Sequence, residues 1–168
     1  YQANLLRASV YLLRNENSNA LDELDDAVEK NPDPSCLLKR IDVLTKLKKY
    51  DKALKDVEEL IKLEGDKLHL KVIKAGINYL KGETDLANKL IESIWDYDNE
   101  RSEIFHGRGV FYLTYKKDYH SAIRDFTSAL EIDPYLMEAY KLRSDAKYEI
   151  DDELGGKSDW IKYTNFRD

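Results

Sequence analysis

Small residues recur along the chain at a nearly constant interval, and large apolar residues keep the same interval. The small residues follow one another at spacings of 33, 34, 35 and 34 positions and are Ala20, Ala53, Ala87, Ala122 and Gly156. Four positions after each comes a large apolar residue: Leu24, Val57, Ile91, Phe126 and Trp160. Three positions further lie Ala27, Leu60, Ile94, Ala129 and Tyr163. This i, i+4, i+7 spacing places the three columns on one face of a helix, so the pattern predicts one amphipathic helix, called helix B, in each of five units.

A second periodic set lies upstream of helix B in every unit. Its first column is Ala8, Ile41, Ala75, Gly109 and Ser144, followed about one turn later by Leu12, Leu44, Tyr79, Leu113 and Tyr148. Polar segments separate the two sets, at residues 15–19, 48–51, 82–85, 116–119 and 151–155. The pattern predicts a helix A before each helix B, with Asp51 and Asp85 capping the helices that follow them. Because no strand-like alternation occurs, we expect an all-α chain.

The period divides the chain into units of approximately 1–33, 34–67, 68–101, 102–135 and 136–168. One pair of helices cannot bury its apolar face alone, so the units must stack on one another. Small residues allow helices to cross closely, and a larger side chain at Ala20 or Ala122 is expected to cost about 1–3 kcal/mol. We therefore expect a single solenoid domain over residues 1–168.

The residues of the fourth unit resemble one known family. The segment 119–134, with the sequence YHSAIRDFTSALEIDP, is similar to the second helix of the tetratricopeptide repeat. Arg108-Gly109 and the segment 139–144 resemble the first helix of that repeat. The resemblance covers the whole chain unevenly and implies a right-handed superhelix in which the first helices line a concave groove. It also implies a non-catalytic scaffold that binds another protein.

The chain departs from the family pattern at identifiable positions. Gly65 and Asn99 stand where the family closes its unit with a proline, and Gly156 replaces the usual alanine. The fourth unit has one extra residue in the turn between its helices. The repeat pattern therefore departs from that of the family most clearly at the second and third junctions.

The resemblance also indicates which residues face the groove. They form an apolar floor with a few charges, suited to a partner peptide or an amphipathic helix. Tyrosines among them are candidate anchors because aromatic side chains dominate binding energy at interfaces. The full set is Leu5, Ser9, Leu12, Leu38, Lys39, Asp42, Val72, Gly76, Tyr79, His106, Val110, Leu113, Lys141, Asp145 and Tyr148.

One well-defined ligand of the family fits this groove poorly. Family members that bind the acidic C-terminal tail of a major chaperone do so with Lys, Asn and Arg side chains from three first helices. The matching positions here read Leu5, Ser9, Lys39, His69 and Ile73, of which only Lys39 is a lysine or arginine. Later starting registers match no better. A chaperone-tail co-chaperone is therefore a minor alternative.

Composition and motif spacing weigh against several other functions. The net charge of -6 opposes a helical-repeat RNA binder, since phosphate contacts need a basic surface. A single cysteine, Cys36, excludes an internal disulfide framework. His69, His106 and His120 lack the spacing of a metal site, and no nucleophile and base occur at recognisable spacing. We expect no enzyme activity, no metal, no cofactor, no nucleic-acid partner and no membrane insertion.

Self-association through the C-terminal end is the main alternative function. Trp160, Tyr163 and Phe166 are expected near an open end of the solenoid, where a second copy could bind. The chain begins at Tyr1 without an initiator methionine, so we expect a processed product or a fragment. A cytoplasmic location is slightly favoured, with secretion or the periplasm left open.

Overall fold

The computed structural model describes residues 1–97 and 100–165. They form ten α-helices, with no β-strand in these two ranges: α1 (Gln2–Leu13), α2 (Asn17–Lys30), α3 (Pro34–Lys46), α4 (Tyr50–Glu64), α5 (Leu68–Lys81), α6 (Thr84–Glu92), α7 (Arg101–Phe111), α8 (Tyr119–Ile132), α9 (Met137–Tyr148) and α10 (Glu153–Asn165). Odd-numbered helices are the predicted helices A and even-numbered ones the helices B. The all-α prediction is confirmed.

The helices are divided between two compact units. Unit 1 comprises residues 1–70 and 80–82, and unit 2 comprises residues 71–79 and 83–168. In unit 1, α1 packs on α2, α2 on α3 and α3 on α4. In unit 2, α7 packs on α8, α8 on α9 and α9 on α10. Each of these helices therefore packs on its neighbours in the chain, as helical repeats do. A single solenoid domain over residues 1–168 stays a prediction.

The small column lies at the closest helix contacts, as its residue types require. Ala20, Ala53, Ala87 and Ala122 have no exposed surface, and Gly156 is also buried. At Gly109 in the first-helix column, an added Cβ would lie 2.7 Å from the fully buried Phe126 ring. No side chain fits there without displacing that ring, so glycine permits the contact between α7 and α8.

Each A-to-B turn uses one residue in the left-handed backbone region. These residues repeat with the same spacings as the small column and are Asn15, Lys48, Gly82, Lys117 and Asp151, with φ between 56° and 98°. In the first, second, third and fifth turns, the residue after it donates its backbone N–H to a carbonyl five positions earlier, as Lys49 does to Leu44. A left-handed residue thus ends each helix A and reverses the chain.

The extra residue of the fourth unit is accommodated in a π-helical turn. Tyr112–Lys116 continues α7 as a π-helix, and Asp118 N–H then bonds to the carbonyl of Tyr112, six positions back, at 3.0 Å. A π-turn widens a helix by one residue. It therefore absorbs the insertion before α8 begins at Tyr119.

The predicted caps at Asp51 and Asp85 are wrong. α4 begins at Tyr50 and α6 at Thr84, so each aspartate lies inside the first turn and no side chain caps either helix. In that position a carboxylate still interacts favourably with the positive end of the helix dipole. Asp33 and Asp118 instead cap α3 and α8, because each side chain accepts a backbone N–H of the following turn.

A column of arginine–carboxylate pairs joins helix A to helix B in four of the five helical repeats. Each arginine directly precedes the first-helix column, and each carboxylate directly precedes the large apolar column. The pairs are Arg7–Glu23, Arg40–Asp56, Arg108–Asp125 and Arg143–Asp159, and each is bidentate with N–O distances between 2.7 and 2.8 Å. The third unit has Lys74 and Leu90 at these positions. Each pair therefore connects the two helices of its repeat through two charge-assisted hydrogen bonds.

Two of these arginines also bond to the preceding helical repeat. Arg40 Nη1 lies 3.0 Å from Asp25 Oδ1 on α2, and Arg143 Nη1 lies 3.0 Å from Thr127 Oγ1 on α8. Asp25 and Thr127 occupy the same position in their repeats. The arginine column therefore connects successive pairs of helices as well as the two helices within a pair.

Candidate functional site

The predicted groove residues fall into two sets, one in each unit. In unit 1 they are Leu5, Ser9 and Leu12 on α1, and Leu38, Lys39 and Asp42 on α3. All six have exposed or partly exposed side chains. Two of the polar residues already have local partners. Ser9 Oγ donates to the Leu5 carbonyl, and Asp42 pairs with Lys46. This surface offers mainly Leu38 and Lys39 to a partner.

The groove residues of unit 2 lie on α5, α7 and α9. They are Val72, Gly76 and Tyr79 on α5, His106, Val110 and Leu113 on α7 and its π-turn, and Lys141, Asp145 and Tyr148 on α9. We call the seven of these that retain solvent exposure the unit-2 surface: Tyr79, His106, Val110, Leu113, Lys141, Asp145 and Tyr148.

Val72 and Gly76 are buried beneath the π-turn. The Tyr115 ring fills the space that a side chain at position 76 would occupy. Val72 belongs to a buried cluster with Ala75, Ala87, Ile91 and Phe111. Tyr115 also packs against this cluster, so the π-turn places an aromatic ring where the repeat pattern alone predicts open groove.

Aromatic side chains support the apolar part of the unit-2 surface. Tyr79 meets Phe111 edge-on at a ring-centroid distance of 5.9 Å, and Phe111 in turn contacts Tyr112 at 5.8 Å. Val110 packs against both buried clusters of unit 2. Tyr79 and Val110 are therefore held by the core on one side and partly exposed to solvent on the other.

Tyr148 is the most exposed aromatic residue of the unit-2 surface. Its side chain is 46% exposed, and its ring lies against Gly156 of α10, where an added Cβ would approach to 3.1 Å. The lack of a side chain at position 156 therefore makes room for the ring. Gly156 thus accommodates the Tyr148 ring as well as occupying the small-residue column of the repeat.

Two polar groups on the unit-2 surface have perturbed chemistry. Desolvation lowers the pKa of His106, and the negative charges of Glu138 and Glu103 partly offset this shift. Its Nε2 is buried and has no hydrogen-bond partner in the described ranges. Desolvation raises the pKa of Asp145, and Glu138 and Glu149 act in the same direction against Lys141. A histidine with a lowered pKa and an aspartate with a raised pKa thus belong to the same surface as the apolar side chains.

The predicted end-face residues lie on α10. Trp160 is 44% exposed and Tyr163 is partly buried, with 5.5 Å between their ring centroids. Phe166 lies outside the described residues.

Other chemical sites are limited in the described parts of the chain. No group of three or more His, Cys, Asp or Glu residues there is arranged to hold a metal ion. Cys36 is buried, and desolvation raises the pKa of its thiol, which disfavours the nucleophilic thiolate. None of the described helices is both long enough and apolar enough to cross a membrane.

The arginine column and the π-turn tyrosines are the elements that the sequence interpretation missed. The arginine column has a sequence signal, because each arginine precedes its carboxylate by 16 or 17 residues in four units. The position of Tyr115 over Gly76 has no such signal, since it depends on how the extra residue is absorbed.

Comparison with solved structures identifies the fold. No family model and no curated protein matches the chain. A thermophilic TPR protein of Thermus thermophilus matches with a TM-score of 0.61 and 15% identity, over 98% of this chain and 90% of that one. A tetratricopeptide repeat protein from Parabacteroides merdae matches with a TM-score of 0.54 and 14% identity, over 98% and 79%. MamA 41-end from Desulfovibrio magneticus RS-1 matches with a TM-score of 0.53 and 16% identity, over 99% and 94%. The chain has the helical-repeat fold of tetratricopeptide proteins.

Proposed function

We propose that this chain is a non-catalytic scaffold that binds a segment of another protein, a peptide or an amphipathic helix, on the unit-2 surface. The observation that carries the proposal is the exposed Tyr148 ring, seated on Gly156, on a surface that also includes the half-exposed Leu113 and Tyr79. Apolar side chains that the core already holds in place lose little entropy when a partner covers them. Tyrosines in such positions are frequent anchors of protein interfaces.

The polar groups of the surface favour a partner with a basic residue. Asp145 makes no side-chain hydrogen bond or ion pair with the described residues, and its carboxyl is already partly desolvated. A lysine or arginine from a partner would lower this pKa again and bind the carboxylate with a charge-assisted hydrogen bond. The partner segment is therefore expected to place a basic residue among apolar ones.

A catalytic role receives no support from the described groups. The buried Cys36 thiol has a raised pKa. His106, the histidine on the unit-2 surface, packs against the Phe126 ring at a centroid distance of 5.8 Å. A general base needs to lie within reach of the proton that it removes. We therefore propose binding as the function of this surface and assign it no reaction.

Selection from a displayed library of random peptides, followed by NMR titration with the selected peptide, tests the proposal. We expect enriched peptides that combine apolar residues with one lysine or arginine, and shifted amide signals from α7 and α9. Tyr148→Ala should weaken binding at least roughly thirtyfold, the effect of a hot-spot residue. Asp145→Asn should weaken binding of the basic peptide and spare a variant peptide with its basic residue replaced.

Tyr135→Ala is the matched control because Tyr135 is also an exposed tyrosine but lies outside the unit-2 surface, before α9. It should bind like the wild type. The proposal is wrong if the selected peptides shift signals only elsewhere, or if Tyr148→Ala and Tyr135→Ala bind equally well.

A further inference from the structure

The turn between α3 and α4 carries a dense patch of positive charge. Residues 46–55 include five lysines and one acidic residue, whereas the corresponding ten positions of each other repeat contain at most three basic residues. All five lysines are exposed. We call the four that follow Lys46 the basic turn: Lys48, Lys49, Lys52 and Lys55. The basic turn lies entirely within unit 1.

The acidic residues beside the basic turn already have other partners. Asp51 pairs with Lys81 at 2.8 Å, and its pKa is lowered mainly by Lys81, with a smaller effect of Lys55. Asp56 is buried and holds Arg40 in a bidentate pair. The four lysines of the basic turn make no ion pair with the described residues. Their charge is therefore free to act on a partner.

The backbone places these lysines along one edge of the helix pair. Lys48 is the left-handed residue of the turn, with φ of 58°, and Lys49 directly precedes α4. Lys52 and Lys55 follow at intervals of three residues, and residues three apart are neighbours on a helix surface. The positive charge therefore begins at the end of the helix pair and continues along the first two turns of α4.

The residue types favour a broad anionic surface over a single acidic group. Residues 46–55 contain no arginine, whose planar guanidinium matches one carboxylate bidentately. The lysine ammonium is instead a compact point charge on a flexible stem, which suits charge that is spread over a surface. Leu47 and Tyr50 lie between the lysines and are partly exposed. Tyrosine is enriched where proteins meet the interface between a membrane and water.

We propose that the basic turn binds the anionic headgroups of a lipid bilayer. The binding is peripheral and mainly electrostatic. Clusters of about four to eight lysines or arginines on an amphipathic helix are typical of sites for anionic lipids. Because the whole chain has a net charge of -6, an anionic surface repels most of it and attracts this edge. The proposal does not depend on the proposed binding function of the unit-2 surface.

Co-sedimentation with vesicles of phosphatidylcholine and phosphatidylglycerol in equal parts tests the proposal. We expect the chain to bind these vesicles and not vesicles of phosphatidylcholine alone. Added salt should release it, because salt screens interactions between exposed charges. Each lysine near an anionic membrane strengthens binding about fivefold, so Lys52→Gln with Lys55→Gln should weaken it roughly 25-fold.

Lys89→Gln with Lys157→Gln is the matched control. Both lysines are exposed and make no ion pair with the described residues, and Lys89 occupies in its repeat the place of Lys55. This double variant changes the net charge by the same amount but leaves the basic turn intact. It should therefore bind the anionic vesicles nearly as well as the wild type. Circular dichroism checks that both double variants are folded.

Several results would overturn the proposal. A wild-type chain that fails to bind the anionic vesicles would do so, as would equal binding to both kinds of vesicle or binding that salt does not weaken. Equal losses in the two double variants would show that net charge, and not the basic turn, decides binding. Soluble polyglutamate provides the last check. If it binds the chain as tightly as the vesicles do, the partner is an acidic protein segment and the lipid assignment is wrong.

Discussion

The pair formed by Arg108 and Asp125 allows a quantitative test of the arginine column. Asp125 is a carboxylate on α8 with only 2% of its side chain exposed, and the Arg108 side chain is 26% exposed. Two hydrogen bonds of 2.7 and 2.8 Å connect them. Arg108→Met keeps an unbranched apolar stem against Trp95 and Phe105 but leaves the buried carboxylate without its cation.

The expected loss is large because desolvation of Asp125 would no longer be offset by its partner. Removing one member of a buried ion pair costs about 3–5 kcal/mol. Since part of Arg108 is exposed and water can reach the site, we expect the lower end, about 3 kcal/mol. For a chain of this length that corresponds to a fall in Tm of roughly 6–12 °C. Thermal unfolding followed by circular dichroism measures it.

The first helical repeat, α1 and α2, supplies a matched control. Arg7 and Glu23 occupy the same column positions, but their side chains are 53% and 20% exposed. Exposed ion pairs contribute little to stability, so Arg7→Met should lower Tm much less than Arg108→Met does.

Removing both charges at the buried site should recover most of the stability. In the double variant Arg108→Met with Asp125→Leu, no carboxylate remains buried, so an apolar contact replaces the ion pair at little net cost. Equal losses for Arg108→Met and Arg7→Met would refute the burial argument. A double variant no more stable than Arg108→Met alone would refute it as well.

Three further predictions concern the core, a histidine and a turn. Gly109→Ala should destabilise the chain by about 1–3 kcal/mol in denaturant unfolding, because the new Cβ displaces Phe126, and Phe126→Leu should relieve part of this loss. His106 has a lowered pKa in the folded chain, so its protonation favours unfolding. The free energy of unfolding should therefore fall as pH drops below about 6.5. Tm measured across pH should show a weaker fall for His106→Gln than for the wild type. Lys117→Gly should stabilise the chain by about 0.5–1 kcal/mol in the same unfolding assay, because φ of +56° suits glycine, and an unchanged value would contradict a left-handed turn there.

The order of the helices follows from the sequence because it depends on local periodicity. A spacing of i, i+4, i+7 aligns residues on one face of a helix wherever the helix lies. Small residues such as Ala20 and Ala122 then indicate where helices cross most closely, and both are buried. The helix caps were harder to predict, since Asp51 and Asp85 lie inside the first turns of the helices that they were expected to cap.

The composition of the candidate site was decided by tertiary packing. The extra residue in the fourth turn was visible in the sequence, but its absorption by a π-turn places Tyr115 over Gly76 and closes that part of the predicted groove. The exposure of Tyr148 likewise depends on Gly156 across the contact between α9 and α10.

The sequence by itself determined the all-α repeat, its period and the columns that form the core, because these features depend on spacing along one helix. Only the tertiary structure decided which groove positions remain open, which carboxylates are buried under arginines and which column members lack a covering helix. Val10 and Val43 illustrate the difference, because they occupy the same repeat position, yet one is half exposed and the other fully buried. Burial depends on which other helix packs on a residue, and the pattern within its own helix carries no such information.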